Sequence, residues 1–320
     1  MRVLVLDAAT IRIACPMAEA IDAVERGFTA LSAHRADVPL RSVLPGLPAD
    51  ATMLVMPARS PDFPLASVKV VSVAEANRDL GLATIQAAVM LVDAKTGVPR
   101  ALLDGATLTA LRTGAAGGLA ARLLAPQHCD IATLYGAGTQ AVTQLDGLLA
   151  ERRPREVRVV ARTPAHADAF IERYDAPKGV RLVRGERDAA AGAQLVVCAT
   201  SSAVPVFDRE DFDPDAHLTG VGSFKPESCE FDPELLKNAR VVVDHRPAAL
   251  AESGEVISAL RRGLLREGDL IEIGETNAHR LATDHRTVFK SVGNAIQDLA
   301  VGCRAFEAAM AKGLGKWVDL

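Results

Sequence analysis

The fold is decided by the stretch Ile131-Ala132-Thr133-Leu134-Tyr135-Gly136-Ala137-Gly138-Thr139-Gln140-Ala141. Its first five residues predict a strand, and the run from Gln140 to Glu151 predicts a helix. In the turn between them, Gly136 permits the tight bend, Gly138 lets the backbone approach a pyrophosphate, and Ala141 lets the helix pack close to the strand. The first N–H groups of the helix then favour a phosphate. Such a turn also occurs as a plain strand-to-helix connection, but this context predicts a dinucleotide site.

The next predicted strand, residues 157–161, ends in Arg162-Thr163. A site for NAD usually has Asp or Glu here, because a carboxylate accepts hydrogen bonds from the ribose hydroxyls. Arg162 can instead pair with a 2′-phosphate and stack on the adenine, while Thr163 can donate its hydroxyl. We therefore predict NADP(H) as the preferred coenzyme, with NAD(H) as the alternative. The competing interpretation of Arg162 is an ordinary solvated arginine.

The composition indicates a globular protein that is long enough for two domains. The chain has 320 residues, of which 49% are hydrophobic and 24% charged, and a formal net charge of -4. This balance favours neither nucleic acid nor an anionic membrane as a partner. The five cysteines have no metal-ligand spacing, so we expect no metal site. Asp7 and Arg12 interrupt any signal-peptide core and the uncharged run 81–92 is too short to cross a bilayer, so we expect a cytoplasmic protein.

The order of predicted elements indicates an α/β fold. An amphipathic helix over Pro16–His34 precedes strand-like runs at 53–57, 65–73 and 83–93, which predict a mixed or antiparallel sheet. After a helix over 108–124, strand and helix signals alternate, which predicts a Rossmann-type doubly wound parallel sheet. The predicted strands of this second sheet are 131–135, 157–161, 195–199, 217–221 and 240–244. A last helix over 295–312 could return to the first domain.

We call residues 136–141 the nucleotide turn. Three cations outside it are candidates for binding an anion: Arg41, Lys69 and Arg112. Lys69 is the most informative, because Val68 and Val70 flank it in an apolar strand. A buried lysine either snorkels to water, meets a carboxylate, or lines a ligand cavity. The remaining candidate polar groups are Asn77, Thr84, Thr113, Asp298 and the loop 220–226.

Other catalytic patterns find no support in the chain. It contains no Gly-x-Ser-x-Gly, His-Glu-x-x-His or phosphate-binding P-loop motif. His128, His217 and His245 are isolated from one another, and we interpret them as structural.

In chain order, the motifs resemble those of the ornithine cyclodeaminase and μ-crystallin family over nearly the whole chain. They are Pro39-Leu40-Arg41, Met53-Leu54-Val55-Met56-Pro57, Val68-Lys69-Val70-Val71, Asn77 with Gly81-Leu82-Ala83-Thr84, Leu91-Val92-Asp93 with Thr96-Gly97-Val98-Pro99, Leu108-Thr109-Ala110-Leu111-Arg112-Thr113-Gly114-Ala115-Ala116, the turn 136–141, Ala199-Thr200-Ser201-Ser202 and Lys290-Ser291-Val292-Gly293-Asn294-Ala295-Ile296-Gln297-Asp298. The resemblance implies a homodimer, with a Rossmann domain over 116–300 inserted between segments 1–115 and 301–320. Those two segments are expected to form a mixed α+β domain for substrate binding and dimerisation.

The resemblance also implies roles for individual residues. Arg41, Lys69 and Arg112 are expected to bind a substrate carboxylate, and Lys69 and Arg112 are the predicted catalytic residues. The predicted substrate-binding set is Arg41, Met53, Lys69, Thr84, Arg112 and Phe224. The predicted cofactor-binding set is Thr113, Gly136, Ala137, Gly138, Thr139, Gln140, Arg162, Thr163, Ala199, Thr200, Val221 and Gly293, of which Thr113 and the turn hold the pyrophosphate and Gly293 lies by the nicotinamide.

The chain departs from the family pattern in the loop Gly222-Ser223-Phe224-Lys225-Pro226. Cyclodeaminases carry Gly-Gly-Asp-Cys-Pro-Gly-Lys there, and the Asp engages the side-chain amino group of the substrate. Phe224 stands in its place and can neither accept a proton nor pair with an ammonium group. We therefore expect a substrate that is already a ring.

The predicted reaction is reduction of a cyclic ketimine, Δ1-pyrroline-2-carboxylate or Δ1-piperideine-2-carboxylate, to L-proline or L-pipecolate. The alternative reactions are ornithine cyclodeamination, which Phe224 disfavours, and alanine dehydrogenation, which the motifs do not separate from ketimine reduction. A non-enzymatic alternative is an NADPH-dependent small-ligand binding protein of the μ-crystallin type. It is the weaker hypothesis, because three buried cations are costly to keep without an anion.

Overall fold

The computed structural model describes residues 2–47, 51–278 and 286–319. The chain divides into two compact units: unit 1 is Met1–Arg112 with Asn294–Leu320, and unit 2 is Thr113–Gly293. The boundaries thus fall at 112/113 and 293/294 rather than at the predicted 115/116 and 300/301. The second boundary lies earlier because the whole of the last long helix, which begins after the N-cap Asn294, packs within unit 1.

The elements follow one another along the chain with few long connections. The strands are β1 (Arg2–Leu6), β2 (Ser42–Leu47), β3 (Ala51–Ala58), β4 (Leu65–Val73), β5 (Ile85–Asp93), β6 (Pro99–Asp104), β7 (Ile131–Tyr135), β8 (Glu156–Val160), β9 (Arg181–Arg184), β10 (Leu195–Cys198), β11 (His217–Gly220), β12 (Arg240–Val243), β13 (Ile271–Glu272), β14 (Thr287–Lys290) and β15 (Lys316–Asp319). The α-helices are α1 (Ala8–Ala14), α2 (Met17–Ser32), α3 (Gly105–Leu124), α4 (Thr139–Glu151), α5 (Pro164–Arg173), α6 (Arg246–Glu252), α7 (Gly254–Arg261) and α8 (Ala295–Lys312).

Unit 1 is built on a mixed sheet with the strand order β15-β1-β6-β5-β4-β3-β2. Only β1 and β6 pair in parallel, and the other neighbours are antiparallel, as expected for the first third of the chain. Helix α8 packs on β3, β4 and β5 and on helix α2. A Cβ added at Gly27 of α2 would lie 3.1 Å from the Ala300 side chain of α8, so the two helices approach closely. Helix α8 therefore belongs to the same unit as the first part of the chain.

Unit 2 is built on a fully parallel sheet with the strand order β13-β12-β14-β11-β10-β7-β8-β9. From β7 the chain first adds β8 and β9 on one side and then returns to add β10 and β11 on the other. This reversal is the point where open parallel sheets bind ligands, at the carboxyl ends of the strands. The predicted doubly wound sheet is therefore confirmed.

Three strands of unit 2 were not predicted from the sequence: β9, β13 and β14. β9 reads Arg-Leu-Val-Arg at the sheet edge with half-exposed side chains, and β13 has only two residues. Both lack a clear apolar period.

Within the described ranges, no helix has the length and apolar character needed to cross a membrane.

His217 lies wholly buried on β11 between two threonines. Its Nδ1 is 2.8 Å from Thr287 Oγ1 and its Nε2 is 2.9 Å from Thr219 Oγ1. Burial lowers the pKa of His217 from 6.5 to about 3, because the charged ring would lose its hydration. The ring is therefore a neutral part of the core, which agrees with its predicted structural role.

We expect His217 to make the stability of the protein pH-dependent. Its stabilising contribution is complete above its ordinary pKa of 6.5 and is lost as the pH falls toward the folded value of about 3, because only the unfolded chain then takes up the proton. Moving from about pH 7.5 to about pH 5 should cost about 2 kcal/mol through this residue. Urea unfolding at the two pH values measures the effect in the protein and in the His217→Gln variant.

The variant should have a lower free energy of unfolding at the higher pH but a smaller loss on acidification. The matched control is His128→Gln, since His128 is exposed, and it should keep the pH dependence of the parent protein. An unchanged pH dependence in His217→Gln would contradict the assignment.

Candidate active site

A buried ion-pair cluster lies in unit 1 between β4, α3 and α8. Lys69 Nζ donates to Asp298 Oδ2 at 2.6 Å, and Arg112 Nε lies 3.4 Å from Asp298 Oδ1. Lys69 is 1% exposed, Arg112 is 7% exposed and Asp298 is 0% exposed. Of the three sequence-based alternatives for Lys69, the structure shows the one in which the lysine meets a carboxylate. Two buried cations thus contact the same carboxylate.

The cluster perturbs the titration of its lysine. The pKa of Lys69 is lowered from 10.5 to about 8, chiefly by burial. Asp298 acts to raise this pKa, whereas the positive charges of Arg112 and Arg41 act with burial to lower it. A lysine with a pKa in this range can hold a proton or release it near neutral pH.

Gln297 extends the cluster at the start of α8. Its Oε1 accepts from Arg112 Nη1 at 2.6 Å and from the backbone N of Asn294 at 3.0 Å. Its Nε2 and the Nδ2 of Asn294 are buried and have no hydrogen-bond partner among the described residues. A buried donor without an acceptor is costly, so these amides are available to a ligand.

Sequence reasoning left Asp298 without a role and did not select Gln297. The Asn-x-x-Gln spacing of a capping box was the available signal, since Asn294 caps α8 and the Gln297 side chain returns to its backbone. That spacing predicts a helix start but not the arginine beside it.

The other predicted substrate-binding residues are distributed over both units. Arg41, Met53 and Thr84 are half-buried in unit 1, before β2, on β3 and before β5. Phe224 belongs to unit 2, where it is 37% exposed on the loop after β11. The substrate-binding roles of these four residues, like those of Lys69 and Arg112, stay predictions.

The nucleotide turn connects β7 and α4 in unit 2. Gly136 has φ +122°, and a Cβ there would lie 2.4 Å from the carbonyl oxygen of Ala199, so only glycine fits. Gly138 is the N-cap of α4 and provides no side-chain cap, and a Cβ there would meet nothing within 4 Å. The space next to the N-cap of α4 is thus open, and no side chain of the N-cap residue occupies the helix N-terminus. This arrangement fits a pyrophosphate.

Neighbouring side chains support the turn. Gln144 Nε2 donates to the carbonyl of Thr113 at 2.7 Å, which ties α4 to α3. Arg173 Nη2 donates to the carbonyl of Ala137 at 2.8 Å and brings a positive charge that the sequence did not indicate. Gln140 Oε1 has no hydrogen-bond partner in the described part of the chain.

The end of β8 places Arg162 and Thr163 on the surface. Thr163 caps α5: its Oγ1 lies 2.8 Å from His166 Nδ1 and accepts from the backbone N of His166 at 3.4 Å. The hydroxyl therefore already has a local structural role. Arg162 is the exposed cation next to it.

The last predicted cofactor positions lie at one edge of the parallel sheet. Ala199 and Thr200 follow β10, Val221 follows β11, and Gly293 follows β14. Gly293 has φ +77°, and its N donates to the buried carboxylate of Asp244 at 2.7 Å. The turn after β7 lies at the same edge, because all these strands are parallel. The topology thus brings these positions of unit 2 to one side of its sheet.

Within the described ranges, no group of three or more His, Cys, Asp or Glu side chains could hold a metal ion.

Two curated relatives resemble the chain over most of its length. A Δ1-pyrroline-2-carboxylate reductase of Bacillus cereus is 35% identical over 298 residues, which cover 90% of this chain and 91% of that protein. The ketimine reductase mu-crystallin of Mus musculus is 32% identical and covers 84% of each chain.

Solved structures share the same fold. The Δ1-pyrroline-2-carboxylate reductase of Thermococcus litoralis, in complex with NADH and L-proline, has a TM-score of 0.90 at 32% identity and covers 98% of this chain and 99% of its own. An archaeal alanine dehydrogenase dimer with bound NAD has a TM-score of 0.90 at 30% identity and covers 100% of both chains.

The family model agrees with these similarities. Residues 1–313 match the model of the ornithine cyclodeaminase/mu-crystallin family. The cation cluster and the nucleotide turn both lie within the matched range, and the chain belongs to the ornithine cyclodeaminase/mu-crystallin family.

Proposed function

We propose that the protein is an NAD(P)H-dependent reductase of cyclic ketimines, which converts Δ1-pyrroline-2-carboxylate or Δ1-piperideine-2-carboxylate to L-proline or L-pipecolate. The observation that carries the proposal is the buried cluster in which Lys69 and Arg112 share Asp298. Relatives named for this reaction, one of them solved with NADH and L-proline, support it.

The charge of the cluster suits a substrate carboxylate. Buried cations are stable only when anions compensate them, and Lys69 and Arg112 both contact Asp298 here. A carboxylate bound beside them would supply the second anion. Arg112 offers a planar fork, Lys69 a point charge, and Gln297 Nε2 a further donor. Together these groups would fix the orientation of an α-carboxylate and of the neighbouring C=N carbon.

Lys69 also suits the transfer of a proton to the imine nitrogen of the substrate. When bound, a reduced nicotinamide supplies the hydride that is added to the C=N carbon. The imine nitrogen must carry a proton at that moment. Lys69, with a pKa lowered to about 8 by burial, can hold this proton at Nζ beside Asp298 and deliver it.

Phe224 supports a substrate that is already cyclic. Ring closure of ornithine requires a group that engages the side-chain amine, and a phenyl ring has no acceptor for it. Ornithine cyclodeamination is therefore the weaker candidate. Alanine dehydrogenation is the second candidate, because the same cations suit the carboxylate of pyruvate and an archaeal alanine dehydrogenase matches the whole chain.

For the coenzyme we propose a preference for NADP(H). Structures in this family bind NADH and NAD, so the family site accepts the non-phosphorylated coenzyme. The preference rests on Arg162, which is exposed at the end of β8 where a carboxylate would repel a 2′-phosphate.

We further propose a homodimer that forms through the open face of the unit 1 sheet. Val70, Met90 and Leu102 are 39%, 43% and 40% exposed on the neighbouring strands β4, β5 and β6. Met90 pairs directly with Leu102 across β5 and β6, and Val70 pairs with Ala88, two residues before Met90. These side chains share one face and form a contiguous apolar surface that a second copy would cover.

The purified protein should oxidise NADPH with Δ1-pyrroline-2-carboxylate or Δ1-piperideine-2-carboxylate, and Lys69→Met should lower kcat/KM for the imine by about a hundredfold or more. The variant loses the ammonium donor and leaves Asp298 with one cation fewer. Steady-state rates follow from the absorbance of the reduced coenzyme, in parallel with pyruvate plus ammonia and with ornithine plus NAD+.

Lys95→Met is the matched control, since Lys95 is exposed in the turn after β5. Turnover only with pyruvate plus ammonia would favour alanine dehydrogenase, and ammonia release from ornithine would refute the role of Phe224. Full imine turnover by Lys69→Met would remove the substrate-binding role of this lysine.

Replacing Arg162 with alanine should raise the Kd for NADPH by about tenfold while the Kd for NADH changes little, because only NADPH carries the phosphate that pairs with the guanidinium. Titration of the coenzyme fluorescence measures both constants. Arg153→Ala, an exposed arginine in the same unit, is the control. An equal rise in the Kd values for NADPH and NADH would show that Arg162 does not select the phosphate.

A charge on the open sheet face should prevent dimerisation. In Met90→Lys the ammonium group would have to be desolvated against apolar side chains of the second copy, which is costly. Sedimentation velocity should show a dimer for the parent protein and a monomer for the variant. Met310→Lys, at another exposed methionine of unit 1, should stay dimeric. A dimeric Met90→Lys would place the interface elsewhere.

A further inference from the structure

Glu230 is a wholly buried carboxylate that receives four hydrogen bonds from two different loops of unit 2. Its Oε1 accepts from the backbone N of Thr200 at 2.7 Å and from Thr200 Oγ1 at 2.8 Å. Its Oε2 accepts from the backbone N of Gly222 at 2.6 Å and from that of Ser223 at 3.1 Å. Each oxygen thus holds one loop.

The two loops held by Glu230 follow the neighbouring parallel strands β10 and β11. They approach each other closely, since a Cβ added at Gly222 would lie 2.0 Å from the carbonyl oxygen of Thr200. One loop carries the predicted cofactor residues Ala199 and Thr200. The other carries Phe224, which is predicted to contact the substrate.

A second buried pair fixes Glu230 itself. The backbone N of Glu230 donates to Glu255 Oε1 at 2.9 Å, and Lys290 Nζ lies 3.1 Å from Glu255 Oε2. Lys290 Nζ also donates to the carbonyl of Ser223 at 2.9 Å. The side chains of Glu255 and Lys290 are 0% exposed. The Gly222–Ser223 loop is therefore held by both a buried carboxylate and a buried ammonium group.

We propose that Glu230 is a positioning residue for the nicotinamide half of the coenzyme and for the loop that carries Phe224; this inference rests on the proposed function. In an open parallel sheet the pyrophosphate lies at the turn after the first strand, here β7, and the dinucleotide crosses the switch point between β7 and β10. A dinucleotide bound there would place its adenosine half toward β8 and its nicotinamide half toward β10 and β11. Glu230 contacts neither directly and acts through Thr200, Gly222 and Ser223.

The carboxylate is required because all four partners are donors. A glutamine at position 230 can accept at its carbonyl oxygen only, and its NH2 group would face the N–H donors of one loop. One loop is then released while the shape of the side chain is preserved. Gly222→Ala reaches the same end by another route, because its Cβ would lie 2.0 Å from the carbonyl oxygen of Thr200 and 2.5 Å from Glu230 Oε1. The two loops are forced apart although position 230 is still a glutamate.

The experiment compares the binding of NADH with that of ADP-ribose, which lacks the nicotinamide and its ribose. Isothermal titration is applied to the full-length protein, Glu230→Gln, Gly222→Ala and the control Glu227→Gln, an exposed glutamate of the same loop. We expect Glu230→Gln and Gly222→Ala to raise the Kd for NADH by about tenfold or more. The Kd for ADP-ribose should rise by less than about twofold in both variants. Glu227→Gln should bind both ligands like the parent protein.

Equal weakening of NADH and ADP-ribose in both loop variants would indicate a general structural role and overturn the proposal, as would unchanged binding of NADH. Because the readout is binding, it is separate from turnover. If the parent protein binds NADH but reduces no cyclic imine, the proposed function fails while the comparison still decides the role of Glu230.

A rate measurement adds a second test where imine turnover is present. The ratio of kcat/KM for Δ1-pyrroline-2-carboxylate to that for Δ1-piperideine-2-carboxylate should change by about threefold or more in Glu230→Gln, because the loop with Phe224 is no longer held in one position. A loss of kcat/KM that is the same for both rings would contradict the control of this loop by Glu230.

Discussion

The ion pair between Lys69 and Asp298 is the constraint on which the organisation of unit 1 depends. It joins a strand from the first quarter of the chain to a helix near its end, and both groups are almost completely buried. Removing one partner of a buried pair typically costs about 3–5 kcal/mol, because the other charge is left without compensation. Helix α8 must therefore lie against β4 with its first turn at Lys69. The same requirement brings Gln297 beside Arg112 and assembles the cluster.

The cluster is a poor solution for stability alone, which is why it supports a binding function. Apolar side chains of similar volume would fill the same space without the cost of desolvating charges. Lys69 and Arg112 both contact Asp298, and amide donors at the start of α8 lack acceptors among the described residues. An anionic ligand would complete the hydrogen bonds and the charge together. The pKa of Lys69, lowered to about 8 by burial, is a second consequence of the same arrangement.

Unit 2 uses buried charge for a different purpose. Its buried charges near the loops that follow β10 and β11 form hydrogen bonds with backbone groups of the protein. These charged residues are Glu230, Glu255 and Lys290. Loops at the carboxyl edge of a parallel sheet have no ladder hydrogen bonds of their own, so an internal acceptor is needed to fix them. Asp244 does the same for Gly293 after β14. Two predicted cofactor positions, Thr200 and Gly293, thus each donate to a buried carboxylate.

The amino-acid sequence by itself determined the class of the fold, the dinucleotide turn and the identity of the main cations. These are local properties, because each depends only on residues that are close together in the chain. They are the 3.6-residue and two-residue apolar periods, the conformational freedom of Gly136, and the placement of Lys69 in an apolar strand. The same local information missed β9 and β14, because short strands at an edge or within a parallel sheet carry little periodicity. It also placed the second boundary between the units at 300/301, since a helix pattern does not say which core the helix covers.

Only the tertiary structure decided which polar residues meet. Asp298 and Gln297 lie 229 and 185 positions from Lys69 and Arg112, and no spacing rule connects residues so far apart in the chain. Glu230 reads in the sequence as one acidic residue among many, and its four donors come from loops that converge only when β10 and β11 pair. Charge compensation and hydrogen-bond satisfaction act between atoms in space, which is why the fold had to bring these groups together before their chemistry could be recognised.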